Sequence, residues 1–465
     1  MPPALDTIAA TATAAGQGGI GIIRLSGSGS RTLLERVFQP LSPRFAGLRP
    51  WTLHRGRILA LSGEILDEAL VVFMPGPRSF TGEDVAELHC HGSPALLALV
   101  LENLCAAGAR LAERGEFTRR AFLNGRMDLT QAEAVAELIA APGPEAARWA
   151  NARLEGHFSR CIRDLREHID CLRAQISLAV DFPDDEVDAD LTPQGFLALS
   201  DGILAAIREL IAAHERTRPW REGMILALAG PVNSGKSSLF NVLLGRERAL
   251  VSATPGTTRD YLEESIRFAG LPMRLVDTAG LRPGASDAAD RLEAEGIRLG
   301  RRVMDQADLI VLLIDGGQPD PELCAALLAE LGSHRVVLAW NKLDLNPPAA
   351  WLDAPPFALA PRVALCATRG QGLEALEHAV RSLVHAQNTT AEAENALVPN
   401  LRQTEALRRA AAELEALRAD VSDAVPWDLC AVRLDSVAAM LGDVTGISTP
   451  DEVLNRIFAA FCIGK

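Results

Sequence analysis

The chain has 465 residues, 48% hydrophobic and 23% charged, which excludes a disordered protein and makes two to four domains the expectation. Its 46 basic and 60 acidic residues leave a net charge of -14, which argues against non-specific coating of nucleic acid but permits a local basic patch that docks a structured RNA. The eight cysteines (Cys90, Cys105, Cys161, Cys171, Cys324, Cys366, Cys430 and Cys462) form no C-x-x-C pair, so neither a zinc ribbon nor a dense disulfide framework is expected.

Met1 to Ala15 lacks the basic flank of a signal peptide, and the apolar run Leu309 to Ile314 is too short to span a bilayer. A cytoplasmic protein is therefore expected, with no membrane association. Residues 1 to about 127 predict a mixed α+β domain. Gly19 to Leu25 and Ala69 to Met74 are strand-like, the second closed by Pro75-Gly76-Pro77, and Ser93 to Ala107 has helical periodicity. His89-Cys90-His91 could be a metal site. The polar end of a strand before Gly92 is the favoured alternative, because no matching ligand cluster stands elsewhere in the domain.

From Asp128 the texture becomes helical. Leu129 to Ala140, Ala146 to Asp181 and Phe196 to Arg216 carry apolar residues at helical spacing, as a bundle requires. The acidic stretch Asp181 to Asp188 lacks the Gly and terminal Glu of an EF-hand loop, so it reads as a solvated turn. From about 219 to 387, strand-like runs alternate with helical ones: Met224 to Ala229, Met273 to Val276, Leu309 to Ile314, Val336 to Trp340 and Val363 to Leu365. This pattern predicts a doubly wound parallel sheet. Helices resume at Leu401 to Val421, Leu429 to Leu441 and Asp451 to Phe461. The simplest architecture inserts an α/β domain (219–387) into a helical domain with halves 128–218 and 388–465, after an N-terminal domain 1–127.

The stretch Gly230 to Ser238 fits G-x-x-x-x-G-K-[ST], between a buried strand and a helix, Leu239 to Leu244, expected to end at Gly245. Asn233, Ser234, Gly235, Lys236, Ser237 and Ser238 are expected to cradle phosphates, with Lys236 on the β- and γ-phosphates and the Ser237 hydroxyl on Mg²⁺. The next loop, Ser252-Ala253-Thr254-Pro255-Gly256-Thr257-Thr258, offers Thr258 as the second Mg²⁺ ligand. Asp277-Thr278-Ala279-Gly280 follows a strand; its Asp can hold the Mg²⁺ shell through water, and its Gly N–H can meet the γ-phosphate. In Asn341-Lys342-Leu343-Asp344, the Asp344 carboxylate can accept from N1–H and the 2-amino group of guanine, donors that adenine lacks. Cys366-Ala367-Thr368 fits the short loop beneath the base. Four motifs in order, each after a predicted strand, identify a translation-factor-type GTPase domain. Where Ras-like GTPases carry a water-orienting Gln, this chain has Leu281, which cannot act so.

Four further stretches carry a resemblance. They are Gly18 to Gly27; Phe80 to Leu88 with Cys90-His91-Gly92; Gly115 to Arg126 with Asp128-Leu129; and Phe461-Cys462-Ile463-Gly464-Lys465. With a GTPase domain between helical segments, the chain resembles the MnmE (TrmE) family of tRNA-modification GTPases across nearly its whole length. The resemblance implies an N-terminal tetrahydrofolate-binding domain through which the chain homodimerises. It implies action with the flavoprotein MnmG, which carries FAD, on the wobble uridine of certain tRNAs. An aminomethyl or carboxymethylaminomethyl group would be added at C5, with 5,10-methylenetetrahydrofolate as carbon donor and 5-formyltetrahydrofolate as its analogue. Folate contacts carry over to Arg24, Glu87, Arg126 and Lys465; a carboxylate suits a pterin N–H edge, and Arg suits the glutamate tail. Arg126 stands where the family more often has Lys, and Ser93 where it often has Gly.

The resemblance also implies a K⁺ site from Asn233, the carbonyls of Ser252 and Thr254, and Thr257, coupled to pairing of two GTPase domains. It assigns the water-orienting role to Glu293, with Glu295 as the alternative, and a part in modification to Cys462. A ribosome-assembly GTPase would share the four nucleotide motifs but needs neither the folate-type stretches nor Cys462. A folate-binding regulatory switch without chemistry of its own is the third possibility.

Overall fold

The computed structural model describes residues 6–181, 192–247, 263–277, 304–387, 397–447 and 449–464. Two compact units are present. One comprises Met1–Ala140, Ala150–Arg208 and Asn400–Lys465; the other comprises Ala141–Trp149 and Glu209–Pro399.

The first unit opens with a seven-stranded sheet. In chain order its elements are β1 (Ile8–Thr11), β2 (Gly18–Ser26), α1 (Ser30–Val37), β3 (Phe38–Pro40), β4 (His54–Leu59), β5 (Ile65–Met74), β6 (Val85–Gly92), α2 (Pro94–Ala106), β7 (Arg110–Leu111) and α3 (Glu116–Leu123). The spatial order is β3-β4-β5-β6-β2-β1-β7, antiparallel except for the β1–β7 pair. Side chains alternate across the strands. Ile23, Leu25, Val71, Phe73, Ala86, Leu88 and Cys90 point into a core with Leu34 of α1 and Leu97, Val100 and Leu104 of α2. Arg24, Glu87, His89 and His91 occupy the intervening positions and stay partly or fully exposed. The His-Cys-His stretch thus lies at the end of β6. Its middle residue is a core thiol, which burial, with Asp67 nearby, pushes up to about 12. His91 Nδ1 pairs with Asp67 Oδ1 at 2.7 Å, a bond that raises the pKa of its imidazole.

Helices follow: α4 (Leu129–Ala140), α5 (Pro144–Leu154), α6 (His157–Asp181) and α7 (Pro193–Glu222). The helical run expected over Ala146 to Asp181 is broken at Gly156, whose φ of +78° lies outside helical space. On α6 the buried residues Phe158, Ile162, Leu165, Ile169, Leu172 and Ile176 recur at alternating spacings of four and three, a single apolar stripe. The acidic stretch after Asp181 lies outside the described residues.

In the second unit come β8 (Met224–Ala229), α8 (Lys236–Glu247), β9 (Glu263–Phe268), β10 (Leu271–Asp277), β11 (Leu309–Asp315), α9 (Pro321–Leu331), β12 (Val336–Asn341), β13 (Arg362–Ala364) and α10 (Leu373–Gln387). The sheet order is β13-β12-β11-β8-β10-β9. All neighbours are parallel except β9, an antiparallel edge strand paired with β10. The strands β8, β11 and β12 are apolar on both faces up to their last residues, as strands covered on both sides demand. Leu226, Leu228, Val311 and Leu313 face α8 and α10, while Ala227, Ile310, Leu312 and Ile314 face α9. Helix α8 runs two residues past the expected stop at Gly245, because a glycine in helical space weakens a helix without ending it.

The chain then returns to the first unit with α11 (Leu401–Ser422), α12 (Trp427–Thr445) and α13 (Asp451–Ala459). Helix α12 packs against α11 and α6. Asn400 and Gln403 form a capping box at the start of α11. The buried Glu133 of α4 accepts from Arg402 Nε at 2.5 Å, Arg402 Nη2 at 2.9 Å and Gln403 Nε2 at 2.7 Å. Arg402 also donates to the carbonyls of Asp443 and Val444 at 2.8 and 2.9 Å, so one guanidinium ties α4, α11 and the last turn of α12. Removing one partner of such a pair leaves a buried charge. Arg402→Met should therefore destabilise these helices by about 3 kcal/mol. Amide hydrogen exchange in α4 and α11 should speed up by roughly a hundredfold while β8 and β11 keep their protection.

Candidate functional site

Six residues between β8 and α8 form the phosphate-type loop. Its backbone takes left-handed conformations at Gly230 (φ +139°), Asn233 (φ +62°) and Gly235 (φ +98°). Two of these are glycine for steric reasons as well. A Cβ at Gly230 would lie 2.4 Å from the Leu313 carbonyl oxygen, and one at Gly235 would lie 2.1 Å from Asn341 Nδ2. Lys236 opens α8 and donates to the carbonyls of Gly230 and Pro231 at 2.9 and 2.8 Å. The loop is thus closed on its own lysine, at a helix N-terminus whose dipole favours anions.

Parallel strand ends bring the other motifs to this loop. Ser237 Oγ donates to Asp277 Oδ2 at 3.0 Å, where β10 ends beside β8. A hydroxyl and a carboxylate so placed are hard oxygen donors that fit Mg²⁺. Asn341 ends β12. Its Nδ2 donates to the Ser234 carbonyl at 2.7 Å, and its Oδ1 accepts from Ala367 N at 3.0 Å. One amide therefore joins the phosphate loop to the loop after β13. Asp344 Oδ1 accepts from the Cys366 thiol at 3.2 Å, and Arg369 lies 3.6 Å from Oδ2. The thiol's hydrogen bond, with the nearby Arg369 and Lys342, holds the Asp344 carboxyl below the usual range. It is ionised at neutral pH, so both of its oxygens are acceptors only. A cavity of about 600 Å³ lies among the phosphate loop, Asn341, Lys342, Cys366 and Thr368, within the range that suits a nucleotide.

The expected residues Asn233 to Ser238, Asp277, Asn341, Lys342, Asp344 and Cys366 to Thr368 are thus gathered at one end of one sheet. Ser252 to Thr258, Thr278 to Gly280, Leu281, Glu293 and Glu295 lie outside the described residues, so the remaining Mg²⁺ and K⁺ ligands have no placement here. Sequence reasoning missed Asp315 at the end of β11, which pairs with Lys342 Nζ at 2.6 Å. Its signal was an Asp closing the most apolar strand of the sheet, the same position at which Asp277 and Asn341 close theirs.

In the first unit, Arg24 and Glu87 sit directly opposite each other on β2 and β6, with Arg24 Nε 2.9 Å from Glu87 Oε1. The other Glu87 oxygen lies 3.2 Å from His89 Nε2. The Arg24 guanidinium lies over the rings of Phe80 (5.5 Å) and Phe117 (5.9 Å). Arg126 Nε donates to the Ser79 carbonyl at 3.1 Å, one residue from Phe80. Lys465 lies outside the described residues. A supporting network was not anticipated. Arg120 reaches Asp6, Glu83 and Glu116, and Ser26 joins Thr81 and Glu83. Residues 462–464 are tied to β1 and to the start of α3. Ile463 forms an antiparallel bridge with Arg114, and the Cys462 carbonyl accepts from Gly115 N at 3.3 Å. A Cβ at Gly464 would lie 2.2 Å from the Thr11 carbonyl oxygen. Cys462 itself is exposed.

Gly235→Ala should lower GTP affinity at least tenfold by forcing apart the phosphate loop and Asn341. Titration with a fluorescent GTP analogue reads the loss, and the hydrogen-exchange protection of β2 and β6 should stay unchanged.

Comparison with known proteins covers almost the entire chain. A family model described as the MnmE helical domain matches residues 129–462, and one described as the GTP-binding protein TrmE N-terminus matches residues 7–126. A tRNA modification GTPase MnmE of Nitratidesulfovibrio vulgaris (strain DP4) is 52% identical over 463 residues, 99% of each chain. Another, of Lawsonia intracellularis, is 47% identical over 463 residues, covering 99% of this chain and 100% of its own. Among solved structures, the G domain of the T. maritima FeoB iron transporter aligns with 34% of this chain and 98% of its own at 28% identity. The TM-score of that alignment is 0.26. The two family models and the full-length relatives place this chain in the MnmE (TrmE) family of tRNA modification GTPases.

Proposed function

We propose that the chain hydrolyses GTP in the service of tRNA modification. The observation that carries this reading is the joining, through Asn341, of the loop between β8 and α8 to the loop after β13 that is expected beneath a guanine base. Lys236, which donates to two loop carbonyls, would hold the β- and γ-phosphate oxygens. Ser237 and Asp277 would hold Mg²⁺, with Thr258 as a further ligand; when bound, that ion neutralises charge on the phosphates. Asp344 accepts from guanine's N1–H and 2-amino groups while the Cys366 thiol fixes its orientation. Glu293 would orient the attacking water in place of the missing Gln, and Asn233, Ser252, Thr254 and Thr257 would hold K⁺ where an arginine finger acts in other GTPases.

The finer reading follows the family resemblance. Two copies pair through the N-terminal domain, and hydrolysis accompanies K⁺-dependent pairing of their GTPase domains. With the flavoprotein MnmG and its FAD, the chain adds an aminomethyl or carboxymethylaminomethyl group at C5 of the wobble uridine of certain tRNAs. The carbon comes from 5,10-methylenetetrahydrofolate, held by Arg24, Glu87, Arg126 and Lys465. The Arg24–Glu87 pair supports this, since a carboxylate suits the N–H edge of a flat heterocycle and its arginine partner lies over two aromatic rings. The work is assigned to the cytoplasm. The domain division 1–127, 128–218, 219–387 and 388–465 is retained as the functional one, although α7 continues four residues past the expected boundary at 218.

The test has two parts. GTP hydrolysis by the purified chain should be faster in K⁺ than in Na⁺ and should collapse in Glu293→Ala at nearly unchanged nucleotide affinity; equal rates in both salts would remove the ion from the mechanism. Cys462→Ser should keep the hydrolysis rate and lose the modified wobble uridine, read by nucleoside analysis of tRNA from a deletion strain carrying the variant. A deletion strain whose tRNA retains the modified wobble uridine would refute the role in modification.

A further inference from the structure

Lys342 takes an unusual backbone conformation for its type, φ +60°, on the wall of the nucleotide cavity. A residue with a Cβ adopts the left-handed region at a cost, so neighbouring contacts must hold it there. Leu343 N donates to the Leu365 carbonyl at 3.1 Å and Leu345 N to the Lys342 carbonyl at 2.8 Å, which fixes the backbone but leaves a four-carbon side chain to be placed. Its ammonium meets Asp315 Oδ2 at 2.6 Å.

Asp315 is well built for that task. It stands opposite Asn341 in the β11–β12 register, it is 8% exposed, and it is not among the residues lining the cavity. Its other oxygen accepts from Gly317 N at 2.8 Å, so the carboxylate is held from both sides. The following turn is locked to the same strand. Gly316 N donates to the Asn341 carbonyl at 3.0 Å, and Asn346 Nδ2 donates to the Gly316 carbonyl at 2.9 Å. Burial alone would raise the Asp315 carboxyl; the bonds from Lys342 and Gly317 outweigh it and leave the group lowered, hence charged at neutral pH.

We infer that Asp315 is a positioning residue for the nucleotide base: by clamping the Lys342 ammonium it holds the lysine's apolar stem flat along the cavity wall, as one face of the base slot. This deepens the proposed function and rests on it. Asp344 and Cys366 select the base by hydrogen bonds; the Asp315–Lys342 pair supplies a surface that any purine can use.

The test is binding of a fluorescent GDP to the full-length chain, with unlabelled GDP and IDP as competitors. IDP lacks the 2-amino group that Asp344 accepts from. Asp315→Asn keeps the shape and an acceptor for Gly317 but loses the charge; Lys342→Met keeps the stem but loses the ammonium. Each should weaken GDP and IDP alike by about tenfold. The double variant should bind no more weakly than the weaker single, because both changes remove one interaction. Wild-type affinity in Asp315→Asn would overturn the inference. So would additive losses in the double variant, which would reduce Asp315 to a brace for its own turn, or a changed GDP-to-IDP ratio, which would route its effect through Asp344. If Asp315→Asn does not fold, Asp315→Glu carries the same expectation, since its charge is displaced by one methylene. Absence of GDP binding by the unsubstituted chain would instead refute the proposed function itself, and this inference with it.

Discussion

The nucleotide site depends on one side-chain amide. Asn341 ends a buried strand and uses both ends of its carboxamide, donating to Ser234 of one loop and accepting from Ala367 of another. It is 2% exposed, so neither bond has water to replace it, and leaving either group unpaired would cost about 1–3 kcal/mol. The same amide explains why position 235 has no side chain, since a Cβ there would occupy the space of Asn341 Nδ2. The loop between β8 and α8 and the loop after β13 are therefore not independent features that share a cavity. They are two loops held at a fixed spacing by a residue belonging to neither.

The parallel sheet makes that economy possible. Strands β8, β10, β11 and β12 run in one direction, so their carboxyl ends lie together, and ligands bind where such ends meet. Each contributes its last polar residue or the loop after it: Asp277, Asp315, Asn341 and the loop from Gly230. In β8, β11 and β12 everything N-terminal to these residues is apolar on both faces. Chemistry is confined to the sheet's edge because the interior cannot accommodate an unpaired polar group.

Much of this was legible in the sequence, for a physical reason. The phosphate loop, Asn341, Asp344 and the apolar strands are recognisable because backbone geometry and buried strands permit few residue types at those positions. The N-terminal sheet was harder. Strands β1, β3, β4 and β7 are short or lie among polar residues, and the order β3-β4-β5-β6-β2-β1-β7 follows from long-range pairing that no local pattern encodes. Arg120 illustrates the limit. Its contacts to Asp6 and Glu83 join positions far apart in the chain, and only its pairing with Glu116, four residues before it on α3, could have been anticipated. Asp315 escaped notice for a related reason. A lone acidic residue after an apolar strand is common, and its partner is 27 residues away.

Left-handed backbone gives an independent view of where the fold is under constraint. Among the described residues, five that are not glycine have positive φ: Trp51, Asn233, Ala269, Lys342 and Ala424. Ala269 with Gly270 makes the two-residue turn between β9 and β10, a connection that demands positive φ at both positions. Ala424 follows α11, where Val425 N reaches back to the Asp420 carbonyl at 2.9 Å, as at many helix ends. Local hydrogen bonding accounts for those two. Asn233 and Lys342 differ, because each lines the cavity and each is flanked by contacts from other strands and loops. Such conformations persist only where the surroundings over-determine them. The contacts of Asn341 and Asp315 are that over-determination, and they fix the loop between β8 and α8 and the start of the loop after β12.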